Sequence, residues 1–418
     1  MEPRTFLRTG IVWVVALVSL CLVSGNLSAR ADALDNWTRS QVVTNPIGFQ
    51  GLGLGGVAYG NGRYVAVGQY SGDDNGVIQT SDDGMNWTMR TTRNYAVLDL
   101  YDVTFGNGLF VAVGWDFFGG NNIYHSTNGI NWTPHTTAIA NFNRVAFGNG
   151  VFVAVGDGVL VDPAGVGSTT YTNQRIYISF NGTTWVPRSD GGPNPTGNQP
   201  IYDVAYGAGR FVAVDGASHF YTSVNAQTWT KTTDSRVGGR INFCNGLFIA
   251  PTGPGTNLVS SDGLSWSLLT NTTAATFGRV IYAGGWYVAL SGSKIFASTE
   301  GTNWFQRTLQ LPPGASLATA TFGARNFMAV GTAFSPSPTI PFAYLSDSVA
   351  ALSINPGLPP QLKVSGLLGR SYRIEHLADV RSTNWQTLDT FTLTNNPTIW
   401  PDTTATNASR FYRAVLLP

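Results

Sequence analysis

A short alternation of apolar and polar positions recurs along most of the chain. Residues 57–68 read VAYGNGRYVAVG, and close copies begin at Val103, Val145 and Val204, with weaker ones at Ile241, Val280 and Ala320. Each copy predicts a strand with period-two alternation, a Gly-Asn-Gly-type turn and a second strand. The turn glycines supply the positive φ that a tight hairpin between right-twisted strands requires. The second strand, of the type Phe-Val-Ala-Val-Gly, is apolar on both faces, as expected of a strand buried on both sides.

A second pattern follows the first six copies. Residues 81–87 read SDDGMNW, and the pattern Ser-x-(Asp/Asn)-Gly-x-x-Trp is carried by Ser81, Asp83, Gly84 and Trp87, by Ser126, Asn128, Gly129 and Trp132, and by Ser179, Asn181, Gly182 and Trp185. It continues with Ser223, Asn225 and Trp229, with Ser260, Asp262, Gly263 and Trp266, and with Ser298, Gly301 and Trp304. Asp or Asn closes a turn by accepting from the backbone two residues on, Gly permits positive φ, and Trp sends a large ring into the core. Two copies depart, at Asn225-Ala226 and Glu300-Gly301, without removing the turn chemistry.

Each repeat therefore predicts four strands, A to D, with D starting at the Trp. The tryptophans fall 37 to 53 residues apart, close to the period of propeller blades. One such sheet cannot bury its own faces, whereas radial stacking buries them. The expected fold is all-β: a seven-bladed propeller of four-stranded blades over residues 32–349. The seventh repeat keeps Phe322, residues 327–331 and 344–346, then loses its Gly and Trp. Asp35-Asn36-Trp37-Thr38 matches the Asn-Trp-Thr of the complete repeats, so Trp37 is expected to open the outer strand of blade seven and close the ring.

The two ends read differently. Residues 1–31 have the form of a secretory signal: Arg4 and Arg8, an apolar run over residues 11–23, and an Ala29-Arg30-Ala31 cleavage site. That run is too short for a good membrane span, and Cys21 follows Leu20 rather than a small residue. A secreted, periplasmic or cell-surface location is expected, with no integral membrane segment after cleavage. Residues 350–360, with Pro356, Pro359 and Pro360, read as a stiff linker. Residues 361–418 read as a small β-sandwich with a core around Tyr372, Ile374, Trp385, Phe411 and Tyr412.

Composition narrows the function. Charged residues make up 11% of the chain and the formal net charge is +1, which excludes the basic footprint of a nucleic-acid binder. Cleavage of the leader leaves Cys244 alone, in the place of a repeat glycine, and so allows no internal disulfide. His125, His135, His219 and His376 show no metal-ligand spacing, and Asp73-Asp74 is a thin ligand set for Ca²⁺. No cofactor is expected, nor a metal, and the chain is read as a monomer. The variable loops 69–76, 115–122 and 157–174 are candidate functional surface, residues 189–200 read as a Gly/Pro/Asn-rich D-to-A connection, and residues 334–342 are Pro-rich in blade seven.

The Ser-to-Trp motif resembles the Asp box (BNR repeat) of bacterial neuraminidases. The propeller is similar to the Asp-box, sialidase-related superfamily, which includes secreted bacterial propellers, photosystem II assembly factors and sortilin-type receptors. The tail resembles fibronectin III-like modules that end secreted bacterial proteins. In that superfamily the boxes lie on C-to-D turns away from the ligand face, which implies a structural role for all six. The resemblance implies sialidase chemistry only where an Arg triad, an acid/base Asp and a Tyr–Glu pair exist. Here the nearest Arg-Ile-Pro match is Arg240-Ile241-Asn242, and beyond the leader Glu occurs only at Glu300 and Glu375.

The candidate site follows from blade symmetry. The residue before the first apolar position of strand A is Gly56, Asp102, Arg144, Asp203, Arg240, Arg279 and Thr319 in blades one to seven. These positions are expected to ring the channel mouth. Arg144, Arg240 and Arg279 suit oxyanion contacts, with Asp102 and Asp203 orienting them. The structural alternative is that these Asp and Arg side chains pair and tie blades together. The expected function is a secreted, non-catalytic binding or scaffold propeller for an acidic glycan or a protein partner; the alternative is a diverged sialidase-like glycoside hydrolase.

Overall fold

Every copy of the first pattern folds as an antiparallel hairpin whose two turn residues both have positive φ. Asn61 and Gly62 stand at 47° and 77°, and Asn107 and Gly108, Asn149 and Gly150, and Asn245 and Gly246 repeat this closely. Asn tolerates this region better than other side chains. Blade 7 forms the same turn with Ala324 and Arg325 at 46° and 75°. The computed structural model describes residues 34–43, 52–70, 76–90, 99–115, 121–137, 140–161, 170–171, 175–189, 200–233, 239–334, 340–347, 351–355, 359–365, 371–377, 385–394, 398–405 and 410–416, and among these there is no helix. Chain contacts divide it into Leu34–Ser346 and Asp347–Pro418. Residues 1–31, with Cys21, and Asp73 and Asp74 lie outside the described residues, as does much of each variable stretch.

Leu34–Ser346 is a ring of seven antiparallel sheets. Blade 1 contains Leu52–Gly60, Arg63–Tyr70, Gly76–Ser81 and Thr88–Met89 in spatial order, and blade 2 contains Leu100–Gly106, Leu109–Gly114, Asn121–Ser126 and Thr133–Thr136. The order is the same through blade 6, which ends at Phe305–Arg307. In blade 3 a short strand, Thr170–Tyr171, also pairs with the long second strand Val151–Val161. Blade 7 takes Ala315–Gly323, Asn326–Ala333 and Ile340–Ser346, and its outer strand is Trp37–Arg39, with Trp37 opposite Ser346. The N-terminal strand closes the ring, as expected from the Asn-Trp-Thr match.

The Ser-to-Trp motif is the C-to-D turn in six blades. In blade 1 the Ser81 hydroxyl accepts from Gly84 N–H and donates to Asp83, whose Oδ1 also accepts from Met85 and Asn86 N–H, all at 2.8 Å. Blades 2, 3 and 5 repeat this pattern. In blade 4 Ala226 takes the glycine's place at φ 60°, and in blade 6 the Glu300 carboxylate accepts from Thr302 and Asn303 side chains instead of backbone amides. Outer strands start one residue after the Trp, not at it, in blades 1 to 6. In five of those blades the indole N–H turns back onto the carbonyl three residues earlier.

The core lies between blades. Val65, Val67 and Ile78 of blade 1 meet Val103, Phe110, Tyr124 and Trp132 of blade 2, each large apolar side chain contributing about 1.5–3 kcal/mol when fully buried. At the inner edge an aromatic ring from one blade sits on a glycine of its neighbour. A Cβ on Gly60, Gly106, Gly148, Gly207 or Gly323 would lie 2.0–2.1 Å from a ring carbon of Phe105, Phe147, Tyr206, Phe243 or Tyr59 respectively.

Cys244 stands at the equivalent place between blades 5 and 6. It is 2% exposed, and its thiol lies 3.2 Å from the Val280 carbonyl. Burial pushes the thiol up to about 12, against the opposing pull of Arg279. Iodoacetamide at pH 8 is therefore expected to leave Cys244 unmodified in native protein and to label it fully in denaturant, as read by intact mass. Native labelling at the rate of a free thiol would contradict this packing.

Asp347–Pro418 contains two three-stranded antiparallel sheets: Ala351–Asn355, Gln361–Ser365 and Thr398–Pro401, and Gln386–Thr392, Ser371–Leu377 and Phe411–Leu416. Their shared core holds Leu362, Val364, Tyr372, Ile374, Leu393 and Tyr412. Trp385, expected there, is only half-buried and outside that cluster, while Trp400 packs against it. The Phe411 side chain lies outside the described ones. Part of the expected linker is a strand, Ala351–Asn355 pairing with Gln361–Ser365, since Leu352 and Ile354 alternate with polar neighbours.

Candidate functional site at the channel mouth

A bulge turns one residue of strand A in most blades. The register between strands A and B slips between Leu54 and Gly56, Leu100 and Asp102, Phe142 and Arg144, Ile201 and Asp203, and Leu317 and Thr319. One unpaired residue in a strand bends it and re-aims the next side chain. The residues after these slips are the ring positions expected in blades 1, 2, 3, 4 and 7. In blades 1 to 3 strand B accommodates the bulge with a glycine: a Cβ on Gly68, Gly114 or Gly156 would stand 1.7–1.9 Å from the carbonyl oxygen of Gly53, Asp99 or Asn141.

Blades 5 and 6 show no slip at this place. Arg279 opens its strand opposite Leu290, and Arg240 precedes the short strand Asn242–Cys244. Asp102, Asp203, Asn242, Arg279 and Thr319 line one cavity of about 260 Å³ together with apolar residues such as Val204 and Ile241. Arg144 and Arg240 are not among its lining residues. Symmetry thus brings three of the five expected charged side chains to the cavity wall, and two are not part of it.

Both carboxylates hold blades together. Asp102 Oδ2 accepts the Val145 N–H of blade 3 at 3.1 Å. Asp203 accepts from its own blade at Val204 N–H, 3.0 Å, and from blade 5 at Ile241 N–H, 3.2 Å. Asn242 does the same for blade 6, accepting Val280 N–H at 3.2 Å. Arg279 reaches past blade 5 to Asp203, 3.2 Å from Nη1 to Oδ2. Arg144 points its Nε at Asp203 from 3.9 Å, too far for a hydrogen bond, and donates Nη1 to the Tyr101 and Asn143 carbonyls.

Charge and burial oppose each other here. Burial raises the Asp102 carboxyl against the pull of Arg144 and Arg279. Burial lowers Arg144 to about 10, with Asp102 opposing. Burial also penalises Arg279, but Asp203 and Asp102 outweigh that and hold it above its ordinary value. Arg144 is lowered further by the neighbouring Arg279 and Arg240, whereas Arg279 also donates a hydrogen bond to Asp203. Donors remain in excess: among the described residues Arg144 Nε and Asn242 Nδ2 are buried without an acceptor, and no carboxylate pairs with Arg240. Buried donors of this kind are costly unless something accepts from them.

The repeat reading missed a second polar cluster. Blade 4 has Asp215 where blades 1, 2, 3 and 7 have the bulge glycine. Its carboxylate, 2% exposed, accepts from the Tyr221 hydroxyl at 2.7 Å and faces His219 Nδ1 at 2.8 Å, with the buried Arg175 guanidinium 3.8 Å away. The signal was legible as one charged residue in an otherwise regular Phe-Val-Ala-Val-Gly strand. His125 and His135, dismissed on spacing, meet across two strands of blade 2.

The fold is similar to several solved propellers. YCF48 from Cyanidioschyzon merolae is 16% identical, aligns over 74% of this chain and 98% of its own, and superposes with a TM-score of 0.52. YCF48 bound to D1 peptide is 18% identical over 77% of this chain and 100% of its own, with a TM-score of 0.53. A catalytically inactive virginiamycin B lyase from Staphylococcus aureus, solved with quinupristin, is 11% identical over 74% of this chain and 99% of its own, with a TM-score of 0.54. At these identities the likeness is one of fold. No family model matches the chain, and no curated protein sequence matches it.

Proposed function

We propose that this chain is a non-catalytic binding propeller that takes a carboxylate-bearing peptide segment of a protein partner at the channel mouth. The carrying observation is the excess of donors in and around the cavity: Asn242 Nδ2 of its wall and Arg144 Nε outside its lining lack acceptors, and Arg240, also outside the lining, pairs with no carboxylate among the described residues. A carboxylate supplies acceptor oxygens and negative charge together, and a concave mouth shields the contact from salt. A similar propeller has been solved with a peptide bound, which supports the choice of peptide over glycan.

The Ser-(Asp/Asn)-Gly-Trp turns support an Asp-box propeller, and the leader-like residues 1–31 support action outside the cytoplasm. The tail fits attachment or presentation, by analogy alone. The glycosidase alternative draws on two carboxylates, Asp102 and Asp203, lining one cavity. Against it, Asp203 already accepts from two backbone amides and Arg279, which leaves it poorly disposed to act as nucleophile or base.

The test uses an array of acidic, neutral and basic peptides and uronate oligosaccharides probed with wild-type, Arg240→Ala and Arg279→Ala protein. Wild type is expected to bind acidic peptides with salt-sensitive affinity. Arg240→Ala is expected to weaken binding at least about tenfold, the loss of one charge-assisted contact worth roughly 1.5–3 kcal/mol, with the melting temperature unchanged. Arg279→Ala is expected to lower both, since it also holds Asp203. Binding to uronates alone would transfer the site to glycans; lost stability with no ligand in either variant series would leave only the blade-tying role.

A further inference from the structure

Two of the four histidines meet head to head on blade 2. His125 lies on Asn121–Ser126 and His135 on Thr133–Thr136, and His125 pairs with Thr133, two residues before His135. His135 Nε2 and His125 Nδ1 are 2.5 Å apart, while the ring centroids are 4.6 Å apart. The facing nitrogens therefore lie near the line between the rings, each lone-pair direction aimed at the other. Both imidazoles are partly exposed. Burial lowers the pKa of each, and His125 lowers His135 further.

The repeat supplies its own comparison. The same diagonal place holds Thr80 and Arg90 in blade 1, where Arg90 Nε donates to the Thr80 hydroxyl at 2.8 Å. It holds Ile178 and Arg188, Thr222 and Thr232, Val259 and Leu269, and Ala297 and Arg307 in blades 3 to 6. The scaffold thus accepts many pairs here and needs no imidazole for folding. Only blade 2 places two metal-ligating nitrogens at this position.

We infer that His125 and His135 form a two-nitrogen site for a late first-row divalent cation, with Cu²⁺ the best fit. Imidazole suits Cu and Zn, and Cu²⁺ binds a given nitrogen site most tightly of the series. Entry of the ion replaces the shared N–H···N contact: the bridging proton moves to the far nitrogen of its own ring, so no proton is released. The nitrogens separate to admit metal–nitrogen bonds of about 2.0–2.1 Å, a movement of side chains on the outer strand pair. Water fills the remaining positions.

The experiment titrates Cu²⁺ into the full chain and records electron paramagnetic resonance spectra. Wild type is expected to bind one tight Cu²⁺ with superhyperfine splitting from two nitrogens. His125→Ala and His135→Ala are each expected to lose the two-nitrogen signature and to weaken binding at least about tenfold, the least that removing even a partner behind a ligand costs. The paired substitution His125→Thr with His135→Arg, which installs the blade 1 pair, keeps the fold and is expected to abolish the site. His219→Ala and His376→Ala are expected to retain it. A spectrum and affinity that survive in His135→Ala or in the paired variant would overturn the assignment.

Discussion

Deleting residues 34–42 is expected to lower the melting temperature by about 10–20 °C. Trp37–Arg39 supplies the outer strand of blade 7. The segment also sends Ser40 N–H to the Ala343 carbonyl and the Ser40 hydroxyl to the Gly84 carbonyl, so it spans blades 7 and 1. Asp35 pairs with Arg307 of blade 6 at 2.6 Å. Net contributions of roughly 0.5–1.5 kcal/mol per hydrogen bond add to several kcal/mol, and each is worth about 2–4 °C in a domain of this scale. A synthetic peptide of residues 34–43, added in excess, is expected to restore part of the loss by strand addition. Differential scanning calorimetry of the truncated protein checks both; an unchanged transition would mean that the ring is held without this strand.

Gly148→Ala is expected to destabilise the propeller by about 4 kcal/mol or more, at the extreme of single substitutions. The new methyl would fall 2.0 Å from the Tyr206 ring, and that ring is itself packed on Phe211, centroid to centroid 4.7 Å. Neither ring nor strand can yield without parting blades 3 and 4. Gly150→Ala, two residues away, provides the contrast. Its Cβ meets nothing within 4 Å, although its φ is 74°, so the expected cost is only the left-handed penalty of about 1–2 kcal/mol. Urea unfolding of the two variants gives the ranking directly. Equal midpoints would show that the blades do not interlock through these glycines.

The hairpins, the six Ser-to-Trp turns and the closing strand were readable from local pattern. Alternation of period two, Asn-Gly at a hairpin and a Trp after a tight turn are short-range chemistry, and each element needs only its own few residues to reveal it. Even the closure at Trp37 is a local match, Asn-Trp-Thr, displaced to the other end of the chain. Of the charged residues that blade symmetry singled out, Asp102, Asp203 and Arg279 line the cavity, and Arg144 and Arg240 do not.

Which charges meet there was decided by register and ring geometry. A one-residue bulge redirects a side chain, and its place depends on how two strands pair, a quantity set between partners rather than within either. Arg144 follows a slip yet stays off the cavity wall, whereas Arg279 follows none and reaches it, crossing to Asp203 two blades away. Asp215 gathers Tyr221, His219 and Arg175, and His125 meets His135. These meetings join side chains from different strands and, for Arg175, from different blades. Spacing along the chain carries no record of them, because radial stacking and cross-strand pairing set the distances.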